Sequence, residues 1–254
     1  MLERRDNMSK PHLIMLPGWG MKSFVWNKLN EFLSQDFELI FIEWDNILSL
    51  DEFKKRVIKV IEQKQISIFS LLGWSLGSLV ALDIASDNLW NIKHLILIGA
   101  TSSFIQHKED GYNIGWNKRI VERMKFQLYK KTQETLYNFY NLMFSKEEMQ
   151  KSYDKEFLQM VENNIENQSI DSLSLGLDYL IQKDLRSKLI DINVSLLMIH
   201  GKEDNICPLD AGVYIKNSVN NSTIEIINEC GHIPFFTNPI DCYNAISQFT
   251  TKNI

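Results

Sequence analysis

A serine hydroxyl attacks a carbonyl only when a base removes its proton and a third group orients that base. One serine of this chain sits in a setting made for that attack: Gly73-Trp74-Ser75-Leu76-Gly77. Residues 66–72 before it are short, apolar and β-branched enough for a buried strand, and residues 79–85 after it are good helix formers. Strand, tight turn and helix make the pattern G-x-S-x-G a nucleophile elbow. The flanking glycines tolerate the crowding of such a turn. The first amides of the following helix then face any oxyanion that forms. The apolar run 66–85 is interrupted by Ser67, Ser70, Gly73, Ser75, Gly77 and Ser78, so it reads as strand plus helix and not as a membrane span.

The base and its partner should follow strands, because functional groups in open α/β sheets gather at the strands' carboxyl ends. His200-Gly201-Lys202-Glu203-Asp204 follows the apolar run 194–199, and Cys230-Gly231-His232-Ile233-Pro234 follows the run 223–227. Of the five histidines, His12 and His94 begin strands, at the wrong end. His107 lies in a polar loop, and His200 precedes the acid, which suits a structural turn. His232 is therefore the expected base. Asp204 is the expected orienting acid, with Glu203 as its rival. One oxyanion donor is expected at the Leu76 N–H. The other is expected in the turn Pro17-Gly18-Trp19-Gly20, where Trp19 supplies a backbone N–H and its indole either walls a pocket or plugs the core.

The elements that must carry these groups alternate. Strands are expected at 12–16, 38–42, 66–72, 94–98, 194–199 and 223–227. Helices are expected at 24–33, 51–63, 79–85, 209–218 and from Pro239 to Phe249. On the helix at 51–63, Phe53, Val57, Val60 and Ile61 form the inner face and Lys54, Lys55 and Lys59 the outer one. Continuous apolar strands between helices predict a mostly parallel sheet covered on both faces. Residues 106–185 read as a helical lid inserted into a core formed by 1–105 and 186–254.

With 254 residues, 44% hydrophobic, 23% charged and a net charge of −5, the chain is ordinary for a globular enzyme and carries no global signal for nucleic acid. Cys207, Cys230 and Cys242 are an odd number without zinc spacing, which points to reduced thiols and a cytoplasmic setting. Residues 1–6 are charged and lack the apolar stretch of a secretory signal, and Met8 offers an alternative start. No cluster of ligands suggests a metal, and the chemistry above needs no cofactor.

At this point the chain resembles a known family. Leu16-Pro17-Gly18-Trp19-Gly20, Gly73-Trp74-Ser75-Leu76-Gly77-Ser78-Leu79-Val80-Ala81, Ile98-Gly99-Ala100-Thr101-Ser102-Ser103-Phe104, Asn138-Phe139-Tyr140 and Gly231-His232-Ile233-Pro234-Phe235 are similar to the biotin-pathway esterases. Those α/β-hydrolases cleave the methyl ester of pimeloyl-acyl carrier protein. The order Ser75, Asp204, His232 is also that of the superfamily. The resemblance implies the α/β-hydrolase fold and release of methanol from a carrier-bound pimeloyl ester. It implies a triad of Ser75, Asp204 and His232, an oxyanion site shaped by Trp19 and Leu76, and an acyl channel lined by Phe139, Tyr140 and Met143. The competing reading makes those three lid residues plain lid core.

The chain departs from the family in three places. Pro17-Gly18 stands where the family carries His-Gly. The opening β-hairpin looks truncated. Glu134 and Asn138 stand where arginines would meet the carrier protein. A substitute is read just upstream. On a helix over 116–131, Trp116, Ile120, Val121, Met124 and Leu128 cover one face, while Lys118, Arg119, Arg123, Lys125 and Lys130 form a basic arc suited to an acidic acyl carrier protein. A solvated helix face explains the same arc. Neighbouring functions remain open: a general short-chain carboxylesterase, a lyase of the menaquinone-pathway type on the same fold, and a ligand-sensing protein. No nucleic-acid or membrane partner is expected.

Overall fold

Six parallel strands form one sheet in the order β2-β1-β3-β4-β5-β6 in the computed structural model, which describes residues 10–164 and 168–252. The strands are β1 (His12–Leu16), β2 (Glu38–Phe41), β3 (Phe69–Trp74), β4 (Ile92–Ile98), β5 (Leu196–Gly201) and β6 (Ser222–Ile227). The readings made on residues 1–9 (no secretory signal, the Met8 start, the truncated hairpin) lie outside the described residues. Every residue of β3 and β5 is buried, as strands covered on both faces must be, while edge strand β6 alternates toward solvent. β1 pairs with β2 on one side and β3 on the other, so the chain reverses its direction of winding there. That reversal opens a crevice beyond the carboxyl ends of β1 and β3.

The core helices are α1 (Asn27–Asp36), α2 (Leu50–Gln63), α3 (Leu76–Ala85), α9 (Leu209–Ser218), α10 (Pro234–Thr237) and α11 (Pro239–Lys252). All ten residues of α3 are buried. This helix starts at Leu76, three residues before the apolar run used to predict it, because the Ser75 backbone carbonyl already accepts from Ser78 and Leu79 N–H. β3 likewise begins at Phe69, not at residue 66. Its ladder with β1 starts at His12↔Phe69, and Ile68 is half exposed. On α2, Phe53, Val57 and Ile61 are buried as their spacing predicts. Lys54, assigned to the outer face, instead reaches back to Asp83 and Asp87.

Between β4 and β5 the described residues form five α-helices: α4 (Lys118–Lys130), α5 (Thr132–Asn141), α6 (Lys146–Gln150), α7 (Tyr153–Asn164) and α8 (Ile170–Gln182). Both ends of this segment are tied together at its base. Ser103 and Asp184 form an antiparallel bridge, and Leu185 N–H donates to Ser102 O at 2.8 Å. The expected inner face of α4 is partly wrong: Val121 and Leu128 are fully buried, but Ile120 is 54% exposed. α4 packs on α5 and α8 together, so its buried side is set by two neighbours.

Asp83 fixes α3 to the end of α8. Its carboxylate is buried and meets Lys183 at 2.7 Å, Lys54 at 3.7 Å and Lys188 at 3.8 Å, with Tyr179 Oη at 3.3 Å. Burial pushes the Asp83 carboxyl up, but the hydrogen bond and charge of Lys183, with Lys54 and Lys188, outweigh it and hold the group below its ordinary value. A carboxyl depressed in the folded state stabilises the protein above its unfolded pKa, and that contribution disappears as pH falls through the folded pKa. Asp83→Asn should therefore cost about 1–3 kcal/mol at pH 7. Denaturant titrations should show the gap to the unsubstituted protein closing below about pH 3.

Candidate active site

Ser75 terminates β3 with φ 55° and ψ −119°, a conformation that only a constrained turn imposes on a non-glycine residue. Two features hold it. Ser75 N–H donates to Ile98 O at 3.1 Å, and Ser78 Oγ and N–H both donate to Ser75 O, at 2.6 and 2.9 Å. Close approach on both sides explains the flanking glycines. A Cβ on Gly77 would lie 2.2 Å from Leu16 O, and one on Gly73 would lie 2.4 Å from Gly77 O.

His232 and Asp204 meet at the same rim. His232 Nδ1 lies 2.7 Å from Asp204 Oδ2, both side chains fully buried. Asp204 Oδ1 accepts the N–H groups of Ile206 and Cys207, each at 2.8 Å, so both carboxylate oxygens are committed. A carboxylate only accepts, so Nδ1 carries the imidazole proton and Nε2 presents a lone pair. Nε2 is buried without a hydrogen-bond partner, so the Ser75 hydroxyl is not bonded to it in this state. Trp74 Nε1 donates to His232 O at 3.0 Å, and its ring lies 5.6 Å from the imidazole. Residues 74, 75 and 232 are thus physically linked.

Gly99 closes the geometry. It follows Ile98, the acceptor for Ser75 N–H, and adopts φ +53°. A Cβ there would stand 2.8 Å from His232 Nδ1 and 3.2 Å from Asp204 Oδ2. Glu203, the rival acid, is exposed. His200 donates from Nε2 to Cys207 O at 2.7 Å and lies 3.6 Å from Asp204 Oδ2. Burial holds its imidazole below the usual value against the pull of Asp204, so it acts as a neutral brace. The remaining histidines are elsewhere: His12 opens β1, His94 lies 3.1 Å from Ser70 Oγ in the first half of β4, and His107 meets Ser103 Oγ at 2.9 Å. Burial raises all three cysteine thiols, with Glu148 adding to the rise at Cys230 and Asp204 at Cys207, so none is primed as a nucleophile.

Above the crevice, Trp19 is buried, with its indole N–H donating to Leu173 O at 2.8 Å and its ring edge-on to Phe139 at 5.0 Å. Tyr140 Oη donates to Gly20 O at 3.2 Å, and Gln168 Nε2 donates to the same oxygen at 2.9 Å. Met143 is buried, and its carbonyl accepts His232 N–H at 2.7 Å. Leu76 is the first residue of α3, whose opening amides have no acceptor within the helix. Phe139, Tyr140 and Met143 therefore pack against the Trp19 turn or the His232 loop, so the five-helix segment roofs this rim. Three contributors had escaped the sequence reading: Gly99, Trp74 as a backbone clamp, and Glu148. The last was visible only as the capping box Ser145-x-x-Glu148.

Comparison with known proteins shows the family. Residues 11–239 match the α/β hydrolase fold family. The chain belongs to that family. Among its relatives, the pimeloyl-[acyl-carrier protein] methyl ester esterase of Nitrosomonas europaea is 28% identical, covering 93% of this chain and 95% of the relative. The protein of the same name from Wigglesworthia glossinidia brevipalpis is 29% identical over 95% and 94%. An esterase from Exiguobacterium antarcticum superposes with a TM-score of 0.85 at 23% identity, covering 96% of this chain and 92% of that one, which shows the shared fold.

The basic arc is less uniform than the helical pattern implied. Lys125 is half buried and held by both oxygens of Asp178 at 2.7 and 2.6 Å. Lys118 lies 3.8 Å from Glu122, and Lys130 sits 4.2 Å over the Phe126 ring. Arg119 and Arg123 are exposed and make no ion pair among the described residues. Lys125 is thus withdrawn from the face, because Asp178 of α8 neutralises it.

Gly99→Ala should reduce the labelling rate of Ser75 by a fluorophosphonate by roughly 100-fold, the scale of a 1 Å misplacement. The left-handed backbone adds a cost of about 1–2 kcal/mol, readable as a lowered thermal midpoint.

Proposed function

We propose that this chain is a serine carboxylesterase that hydrolyses the methyl ester of pimeloyl-acyl carrier protein, releasing methanol and leaving the free carboxylate. The observation that carries the reading is the buried His232–Asp204 hydrogen bond, packed against Gly99 beside the strained Ser75 elbow. The names of the relatives support the substrate class.

In this mechanism a rotation of the Ser75 side chain closes the open bond to His232 Nε2; such bonds are commonly loose without substrate. His232 takes the Ser75 proton as Oγ attacks the ester carbonyl. Asp204 holds the tautomer and stabilises the imidazolium. The Trp19 and Leu76 N–H groups receive the oxyanion. His232 then protonates the departing methoxide, and methanol leaves. Water repeats the sequence on the acyl-serine and regenerates the hydroxyl. No metal or organic cofactor enters any step.

The helices over the rim act as a lid. A groove of about 410 Å³ between α4 and α5 is lined by Trp116, Ile120, Met124, Phe139 and Leu142, with Arg123 and Lys131 at its margin. An extended acyl chain fits such a groove, with Phe139 keeping water from its apolar length. Arg119 and Arg123, exposed on α4, provide docking charge for an acidic carrier, with Lys118 and Lys130 beside them and Lys125 inside. In keeping with a biosynthetic enzyme of the cytoplasm, the three cysteines are unpaired. No helix among the described residues is long and apolar enough to cross a membrane.

Two experiments test the reading. Expression of this chain should let a biotin-requiring bacterium that lacks its methyl ester esterase grow without biotin, while Ser75→Ala, which removes about 10⁶ in kcat in comparable triads, should not. Failure of the unsubstituted chain to rescue, with esterase activity on small esters intact, leaves a general carboxylesterase. Charge reversal at Arg119 and Arg123 should lower kcat/KM on the carrier-bound ester by about tenfold or more while sparing a short soluble ester. Equal loss on both removes the docking face.

A further inference from the structure

We propose that Glu148 is a positioning residue for His232, acting through the backbone of the loop that carries it. This rests on the catalytic reading of His232 above. Glu148 lies on α6, in the helical insertion, 84 residues from the base, yet it is one of the few buried carboxylates among the described residues, 3% exposed. Its Oε2 accepts Ser145 N–H at 2.8 Å and Gly231 N–H at 2.9 Å. Its Oε1 accepts the Thr237 hydroxyl at 2.6 Å. That hydroxyl has a single proton and a much longer alternative acceptor, Ile233 O at 3.4 Å, so the carboxylate takes it.

Three donors from three separate segments converge on one group: the start of α6, the residue before His232, and α10. No lysine or arginine neutralises it among the described residues, so the amides and the hydroxyl carry its stabilisation. An uncompensated carboxylate in an apolar interior is costly unless it is well hydrogen-bonded, and here three donors serve it. Two neighbouring bonds run along the same seam. His232 N–H donates to Met143 O at 2.7 Å, and Ser145 Oγ donates to Glu229 O at 2.6 Å. Residues 229, 231 and 232 are therefore all tied to residues 143–148, and Glu148 is the side chain at the centre of the seam.

The capping box explains only the contact with Ser145. A cap on a five-residue helix does not require the bonds to Gly231 and Thr237. What those bonds do is fix the backbone on the two sides of the imidazole: Gly231 immediately before it, and α10 two residues after it. The ring is then held from the insertion side, while Asp204 holds it from the core side. Removing Glu148 frees the loop to shift the ring relative to Ser75 without touching either reacting group.

The test compares Glu148→Ala, Glu148→Asp and Glu148→Gln in the full chain. Each preparation is titrated with a fluorophosphonate so that rates are expressed per reactive Ser75, and folding is checked by thermal unfolding. Glu148→Ala should lower kcat per titrated site by roughly 10- to 100-fold with KM on a short soluble ester changed little, because the defect lies in ring placement. Glu148→Asp, which withdraws the carboxylate by one methylene, should show the same split to a smaller degree, and it decides the question if the alanine variant does not fold. Glu148→Gln should recover most of the loss. Its amide oxygen can serve the two backbone donors, and its NH₂ can face Thr237, whose hydroxyl rotates to accept.

A lowered melting temperature with unchanged kcat per titrated site in both Ala and Asp variants would make Glu148 a structural cap and overturn the proposal. An unsubstituted chain that neither labels nor hydrolyses esters would instead overturn the catalytic reading on which it stands, so the two failures are separable.

Discussion

A buried carboxylate can orient an imidazole only if it cannot rotate away, and in this protein it cannot. Asp204 spends one oxygen on the amides of Ile206 and Cys207 and the other on His232, at the foot of a loop that follows a fully buried strand. Burial strips water from the pair and raises the cost of leaving either member alone. The same pair fixes the tautomer, and the tautomer decides which nitrogen can serve as base. In the proposed mechanism, the sheet reversal beside β1, the crowded elbow and the bare Cα of Gly99 let a hydroxyl reach that nitrogen's side.

The insertion is part of this arrangement and does more than cover it. Met143 and Glu148 hold the His232 loop, Tyr140 and Gln168 converge on the carbonyl of Gly20, and Trp19 lies between Phe139 and the Leu173 carbonyl. At its far end, Asp83 gathers three lysines from the core and the returning chain. Hydrogen bonds of this kind are each worth about 1 kcal/mol net, but they are placed at the turns whose geometry the chemistry needs. The groove between α4 and α5 meets these ties at Phe139, which lines it and packs edge-on against Trp19.

Much of this was legible in the sequence, for identifiable reasons. Central strands of a parallel sheet must be apolar on both faces, so β1, β3, β4 and β5 stand out as runs, and the residues just past them are confined to one rim. That logic nominates Ser75, Asp204 and His232 from the sequence, and the structure joins Asp204 to His232 by a buried hydrogen bond. Boundaries were less legible: β3 starts at Phe69 because its ladder partners begin there, which no local pattern encodes. Lys54, Lys125 and Ile120 were misassigned because a helical wheel knows only one neighbour. Asp83 and Asp178 capture the two lysines, and α4 leans on two helices at once. Glu148 was hidden for a related reason: beyond its own cap, its partners are the Gly231 amide 83 residues away and the Thr237 hydroxyl 89 residues away, which no local pattern encodes.

The elbow has a thermodynamic consequence. Ser75 is held at φ 55° by its surroundings, in a region where an L side chain is penalised and glycine is not. Replacement by glycine would relieve that strain and yield a sturdier molecule without the hydroxyl that the proposed mechanism uses. Folding stability and reactivity therefore pull in opposite directions at one atom's attachment point, and screening such a protein for heat resistance alone would favour variants that have abandoned their hydroxyl.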